Sequence, residues 1–450
     1  MRYPSSFVRL FAAAWLLALC LPAHAALPIQ HWRQPNGAAV YLVESHGIPM
    51  VDVQLDFDAG ARRDPAGKVG LASATAMMTG KGLAASAGEP ALDENQLGEA
   101  WADLGAGFGG DAGGDRMSFS LRSLTDPALL AKALQLAARQ FGQPSFPAEV
   151  WIRERQRWSA SIRESNTRPA TVAARAYGRL VYGGHPYGAE VTEETLSRID
   201  IAEMRRYWSE HVLPCRAKVS IVGNVDKAQA DAMVTRLLSQ LPQGAGACPA
   251  LPPVAEVPAL AAPQVEAIPF SSAQAHVLIG QPGYKRSDPD FFALLVGNYV
   301  LGGSGLVSRL STEVREKRGL SYSTYSYVSP GLHAGAFTLG LQTRPDQAAQ
   351  AIQVARDVVA SYVADGPTAQ ELRAAKDNLV GGFPLRIDTN RKLLDNIASI
   401  AWNNLPLDYL DTWTARVEQI TAQQVRDAMT RKLQPQRMVT VTVGAAPARP

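Results

Sequence analysis

At 450 residues, 46% of them hydrophobic and 19% charged, the chain is long enough for two or more globular domains and too apolar to be disordered in bulk. The formal net charge of +3 excludes the strongly basic surface that would favour nucleic acid or an acidic membrane, and Arg2 and Arg9 of the N-terminal segment carry two of those charges, leaving +1.

That segment, MRYPSSFVRLFAAAWLLALCLPAHA, has the order of a secretory signal: arginines, an apolar run from Leu10 to Leu21, then Ala23-His24-Ala25 as a cleavage site. The run is shorter than the roughly 20 apolar residues that cross a bilayer, which favours cleavage over a membrane anchor. A lipoprotein site at Cys20 ranks second, because Leu19 is bulky where such sites want a small residue. We therefore expect residues 1–25 to be removed near Ala25/Ala26 and the mature chain to be periplasmic or secreted. Cys215 and Cys248 would then sit where disulfides persist. Sequence cannot supply their separation, so they stand either as a pair or as two separate thiols; the expectation to test is pairing.

Next in chain order, the strand-rich VYLVESHGIPMVDVQLDFDAG runs into GARRDPAGKVG and the helical GLASATAMMTGKG. Ser73, Ala76 and Met77 share one face of that helix at i, i+3 and i+4 spacing, yet none is a good metal ligand or a titratable base. FSLRSLTDPALLAKALQLAARQF from Phe119 then reads as a strand, a proline turn and an amphipathic helix. The same order returns in the second half as FTLGLQTRPDQAAQAIQVARDVV from Phe337. Near the end of each half, a capping box (Asp200 with Glu203, Thr421 with Gln424) opens a helix that leads to a β-branched strand, AKVSIVGNV or MVTVTVGA. A proline-rich stretch over residues 241–269 separates the two and reads as an extended linker. Order and spacing together indicate a duplication. The expected fold is α+β: two homologous lobes, residues 26–240 and 270–450, each a mainly antiparallel sheet covered by helices on one face, with a cleft between them.

GARRDPAGKVGLA, ERQRWSASIRE, GGHPYG at Gly183 to Gly188, and GGSGLVSRLSTEVREKRGLSYSTYSYVSP occur in this order along the chain. With them the sequence resembles the pitrilysin, insulinase and mitochondrial-processing-peptidase family of zinc peptidases over essentially its whole mature length. The resemblance implies a two-lobed, clamshell-like fold. Active members carry an H-x-x-E-H helix, two histidines on zinc and a glutamate activating water. Here those positions fall on Ser73, Ala76 and Met77, and the third ligand position, counted from Glu154-Arg155, falls on Ser161. Hydroxyl, methyl and thioether groups replace the imidazoles and carboxylates that zinc requires. His46, His185 and Glu164 lack the local spacing of a substitute site, and His185 in GGHPYG reads as a turn and packing residue.

Arg315 and Tyr322 match an Arg/Tyr pair that, in the family, reaches the zinc site from the second lobe. A tyrosine hydroxyl can donate to a developing oxyanion, and a guanidinium can fix a carbonyl or carboxylate. Gly302-Gly303-Ser304-Gly305 resembles a glycine-rich, substrate-receiving stretch of noncatalytic processing-peptidase subunits; by itself it reads as a plain flexible loop. The resemblance thus implies an exported subunit without zinc of its own. It would pair as a heterodimer with a homologous zinc-bearing chain, and the complex would cut peptides or unfolded proteins with Arg315 and Tyr322 acting in trans. The alternative implied by the same family is a noncatalytic peptide-binding or scaffold protein.

Overall fold

The computed structural model describes residues 28–86, 88–242 and 248–444. The signal-like segment and its cleavage site lie outside them. The first half opens with β1 (Gln30–Arg33), β2 (Ala39–Glu44) and β3 (Met50–Phe57), rich in the β-branched and aromatic residues that suit a pleated, half-buried surface. A helix (Leu71–Met78) and a short ribbon of β4 (Gly82–Leu83) and β5 (Leu92–Asp93) follow. The hairpin of β6 (Gly107–Ala112) and β7 (Met117–Leu124) comes next, and β8 (Lys218–Gly223) returns between β2 and β3. The second half contributes β9 (Val265–Ile268), β10 (Ala275–Pro282), β11 (Ser323–Val328), β12 (Ala336–Thr343) and β13 (Val439–Val443).

Beyond the edge strand β1, the first sheet runs β2-β8-β3-β7-β6 and the second runs β9-β13-β10-β12-β11. In each, one pair is parallel, β2 with β8 and β9 with β13, and the remaining ladders are antiparallel. Two stretches of different sequence thus share one topology, as a duplicated unit would.

One covering helix of each half crosses to the other half's sheet. Helix Pro169–Tyr182 of the first half lies on β10 and β13 of the second, and helix Asn390–Trp402 of the second half lies on β8 and β3 of the first. The first of these contacts is largely dry: Ala173, Ala176 and Tyr177 pack against Val439, Val441 and Val443. Tyr177 also donates to the Phe337 carbonyl at 2.8 Å. The second contact is polar. Lys218 Nζ donates to the Ala401 carbonyl (2.8 Å), complementing the negative C-terminal end of helix Asn390–Trp402, and lies 5.6 Å from the Trp402 ring. Exchanged helices therefore pack between the halves, where the sequence leads one to expect a cleft. Each sheet keeps an apolar core on its other face; in the first half Phe119 meets Phe57, Phe108, Phe141 and Trp208 edge-on or stacked.

Three local expectations change. Val265–Ile268, inside the stretch read as linker, is a strand because β13 offers it a parallel edge far along the chain. The linker before it is a strap rather than a free spacer. Its Pro249 carbonyl accepts from Arg216 at 2.7 Å, its Pro252 carbonyl from Arg63 and its Ala255 carbonyl from His185 at 3.0 Å, while Glu256 accepts from the Ala334 amide at 2.9 Å. The Asp200 box is half formed: Asp200 caps the Glu203 amide at 2.8 Å, but the Glu203 carboxylate goes to Lys68 (2.9 Å) and Arg206 (2.6 Å). Thr421 and Gln424 form the full reciprocal box.

Cys248, at the start of the strap, is disulfide-bonded to Cys215 across a separation of 33 residues. Chain entropy alone gives such a crosslink roughly 3–4 kcal/mol. The double variant Cys215→Ser/Cys248→Ser is accordingly expected to unfold at clearly lower denaturant than the oxidised native chain. Peptide mass mapping without reductant checks the bond, and two alkylatable thiols in the folded protein would refute it.

Candidate functional site

The helix Leu71–Met78 is started from outside itself. Asp64 accepts from the amides of Gly70 and Ala72, both at 2.8 Å. These are N–H groups that the first turn leaves without helical partners. Gly70 takes φ +105°, a conformation that disfavours a side chain. Burial pushes the Asp64 carboxyl up to about 6, against the pull of those amides. A carboxyl raised in the fold stabilises it most when protonated. This contribution is complete below the unfolded value of 3.8 and is lost as pH rises through about 6. Asp64→Asn, which keeps an acceptor oxygen but cannot ionise, should abolish this part of the pH dependence. Melting temperatures of the two proteins at acid and neutral pH test the sign: relative to the variant, the native chain should fare better in acid.

On that helix the positions of the lost motif serve packing. Ser73 Oγ donates to the Ala112 carbonyl at the end of β6 (3.3 Å), Ala76 is buried, and Met77 packs at the margin of the first core. Ser161 is exposed on helix Ala148–Ser165. Among the described residues no group of three or more His, Cys, Asp or Glu is placed to hold a metal ion. His46 is engaged with Asn224 at 2.7 Å, and Glu164 pairs with Arg168.

His185 sits where the two halves meet. Its Nδ1 accepts from the Tyr187 amide (3.1 Å), and its ring lies 5.1 Å from that of His333. Tyr187 donates to Asp115 at 2.6 Å and accepts from the His333 amide at 3.2 Å. Burial, with His333 adding to it, holds His185 below the usual imidazole range and so neutral. GGHPYG is thus an inter-half strut, a role invisible locally because its partners come from distant sequence.

In the second half, helix Phe291–Asn298 loosens into a π-turn, Tyr299–Gly303, followed by the short turn Gly305–Val307 and a second π-turn, Ser311–Glu316. The glycine stretch is not a free loop. A Cβ on Gly302 would stand 2.4 Å from Ser326 Oγ on β11, and the adjoining Asn298 amide donates to the Ser326 carbonyl at 3.1 Å. Gly303 approaches Asn298 closely, and Gly305 takes φ +64°. Beyond them Leu306 and Val307 are exposed.

Arg315 lies on the second π-turn and is partly exposed. Its obvious local partner is taken, since Glu313 pairs with Lys317 and Arg318, each at 2.7 Å. Among the described residues Arg315 has no ion pair. Tyr322, just before β11, is 86% exposed, far more than a packing tyrosine would be. Among the described residues no side-chain hydrogen bond joins Arg315 to Tyr322, and Ser73 on the first helix bonds the Ala112 carbonyl instead. Across from the helix, β6 closes the first sheet as its outermost strand. Positions 107 and 109 are glycines with open space where a Cβ would be, so the face of the strand is uncrowded there. As an edge strand β6 is a place where an extended chain could pair.

Two duplicated α+β halves, with the metal-site helix preserved and its ligands replaced, define a peptidase-like protein without the zinc motif. Residues 198–379 match the family described as Peptidase M16 inactive domain. The crystal structure of a peptidase M16 inactive domain from Pseudomonas fluorescens superposes with a TM-score of 0.86 at 32% identity, over 94% of this chain and 99% of that one. An uncharacterized zinc protease of Streptomyces coelicolor is 32% identical over 258 residues, covering 56% of this chain and 55% of that protein. A non-peptidase homolog of Helicobacter pylori, YmxG, is 32% identical over 159 residues, 34% of this chain and 36% of that protein. The chain spans about half the length of the first curated relatives it matches. The chain belongs to the peptidase M16 family.

Proposed function

We propose that this chain is exported and serves as the zinc-less subunit of a heteromeric metallopeptidase, pairing with a homologous chain that carries H-x-x-E-H. One observation carries the reading: the metal positions are Ser73, Ala76 and Met77, while the side chains of Arg315 and Tyr322 remain accessible and, among the described residues, have no ion-pair or hydrogen-bond partner. Zinc and its activated water would come from the partner. This chain would supply a guanidinium and a phenol to substrate held in the shared chamber. The open edge of β6 suits a peptide bound as an added strand, and the Cys215–Cys248 bond suits an oxidising compartment.

The test is reconstitution. Purified alone, the chain should bind no stoichiometric zinc by elemental analysis and leave unstructured peptides intact. Mixed with a homologous exported chain bearing the zinc motif, it should elute as a complex and cleave them. Zinc bound one per chain, and lost together with activity on chelation, would overturn the reading. A stable complex that binds peptides but never cuts them would point to a binding or scaffold role instead.

A further inference from the structure

Where the strap crosses from the first half to the second, it closes one side of a cleft of about 480 Å³, bounded also by the disulfide and by Trp402 of the second half. Four cations line this cleft, Arg33, Arg63, Arg216 and Lys218, against one carboxylate, Asp58. Asp58 is already committed. One of its oxygens takes Arg62 at 2.6 Å and Arg63 Nε at 3.0 Å, and the other takes Arg63 Nη2 at 2.7 Å. Lys218 is spent on the end of helix Asn390–Trp402. Among the described residues two guanidinium groups remain without a carboxylate: Arg216 donates there only to the backbone carbonyls of Glu210 and Pro249, and Arg33 only to the Gly37 carbonyl at 3.2 Å.

Such an arrangement is costly unless something negative visits it. Burial, with Arg63 adding its repulsion, holds Arg216 below the usual guanidinium range, and burial with Arg33 nearby does the same for the Lys218 ammonium. Planar guanidinium groups match carboxylate and phosphate oxygens in pairs, and these charge-assisted bonds are about twice as strong as neutral ones. The cleft has room for more than a single halide, and its Trp402 ring with Pro249 and Leu251 of the strap offers apolar surface to the body of a small molecule.

We propose that the cleft under the strap is a binding site for a small oxyanion, a phosphate- or carboxylate-bearing molecule, held chiefly by Arg33 at the mouth and Arg216 at the wall. The site is separate from the Ser73 helix and from Arg315 and Tyr322. It stands whether or not the chain works in a peptidase complex.

The experiment is titration of the purified mature chain with pyrophosphate and with citrate, by calorimetry and thermal melting, against sodium chloride at matched ionic strength. Saturable binding of at least one anion at a single site is expected, with a rise in melting temperature that chloride does not reproduce. Pyrophosphate binding without citrate would assign a phosphate ligand, and the converse a carboxylate. Arg33→Gln/Arg216→Gln should weaken binding by about tenfold or more. Without ligand its melting temperature should be unchanged or higher, since like charges have been removed. Should the double variant not fold, Arg33→Gln alone, altered at an exposed position, carries the test. No saturable binding at millimolar anion, or equal affinity in the native chain and the variants, would overturn the proposal.

Discussion

Tyr322→Phe is expected to leave the fold and the pairing of subunits intact while lowering turnover by the assembled peptidase about 10²-fold or more, the scale for losing one oxyanion donor. The side chain is 86% exposed, so deleting its hydroxyl removes no buried contact. The loss should fall on kcat, because a hydrogen bond to an oxyanion forms only as the tetrahedral centre develops. Arg315→Ala should behave differently, raising KM as well as lowering kcat, since a guanidinium that fixes a carbonyl already acts in the bound ground state. Glu313 bonds Lys317 and Arg318, so removing Arg315 breaks no ion pair among the described residues. The measurement is steady-state cleavage by the reconstituted pair, with melting of each variant as control. If both variants cut at the native rate, or if both mainly lose thermal stability, action in trans would have to be abandoned.

Gly280→Val should destabilise the chain by about 3 kcal/mol or more, at or beyond the upper end of ordinary overpacking. A Cβ at this position of β10 would fall 2.0 Å from the Phe337 carbonyl oxygen and 2.1 Å from Tyr177 Oη. Tyr177 belongs to the helix that the first half lends to the second sheet, and its hydroxyl is satisfied there by Phe337 and Thr338. A valine must therefore expel the tyrosine, leaving buried polar groups unpaired and the dry contact between the halves broken. Chemical denaturation of the variant measures the cost. Tyr177→Phe removes only the hydroxyl and should cost about 1 kcal/mol, with part of the loss shared between the two changes in a double-mutant cycle. A Gly280→Val protein as stable as the native chain would mean that Tyr177 is not seated there.

The presence of the first helix and of the paired strand-and-helix units is set by local periodicity, so it is legible from residues alone. The lack of zinc ligands is legible for the same reason: ligand chemistry is a property of side-chain type, and Ser73, Ala76, Met77 and Ser161 do not have it. The duplication could be read because two distant stretches repeat one order of apolar spacing, turn and cap. Composition also marked the proline-rich crossing, though not what it touches.

Tertiary structure alone decided where these units go. That Val265–Ile268 is a strand depends on an edge offered by β13. That Gly302 must be glycine depends on Ser326 pressing against it. That Asp64 caps the first helix depends on a turn that brings its carboxylate back to Gly70 and Ala72. Each half covers the other's sheet because the exposed face of a sheet must be buried by some apolar or hydrogen-bonding surface. Local pattern states that a face needs a partner, and only the folded chain chooses which one.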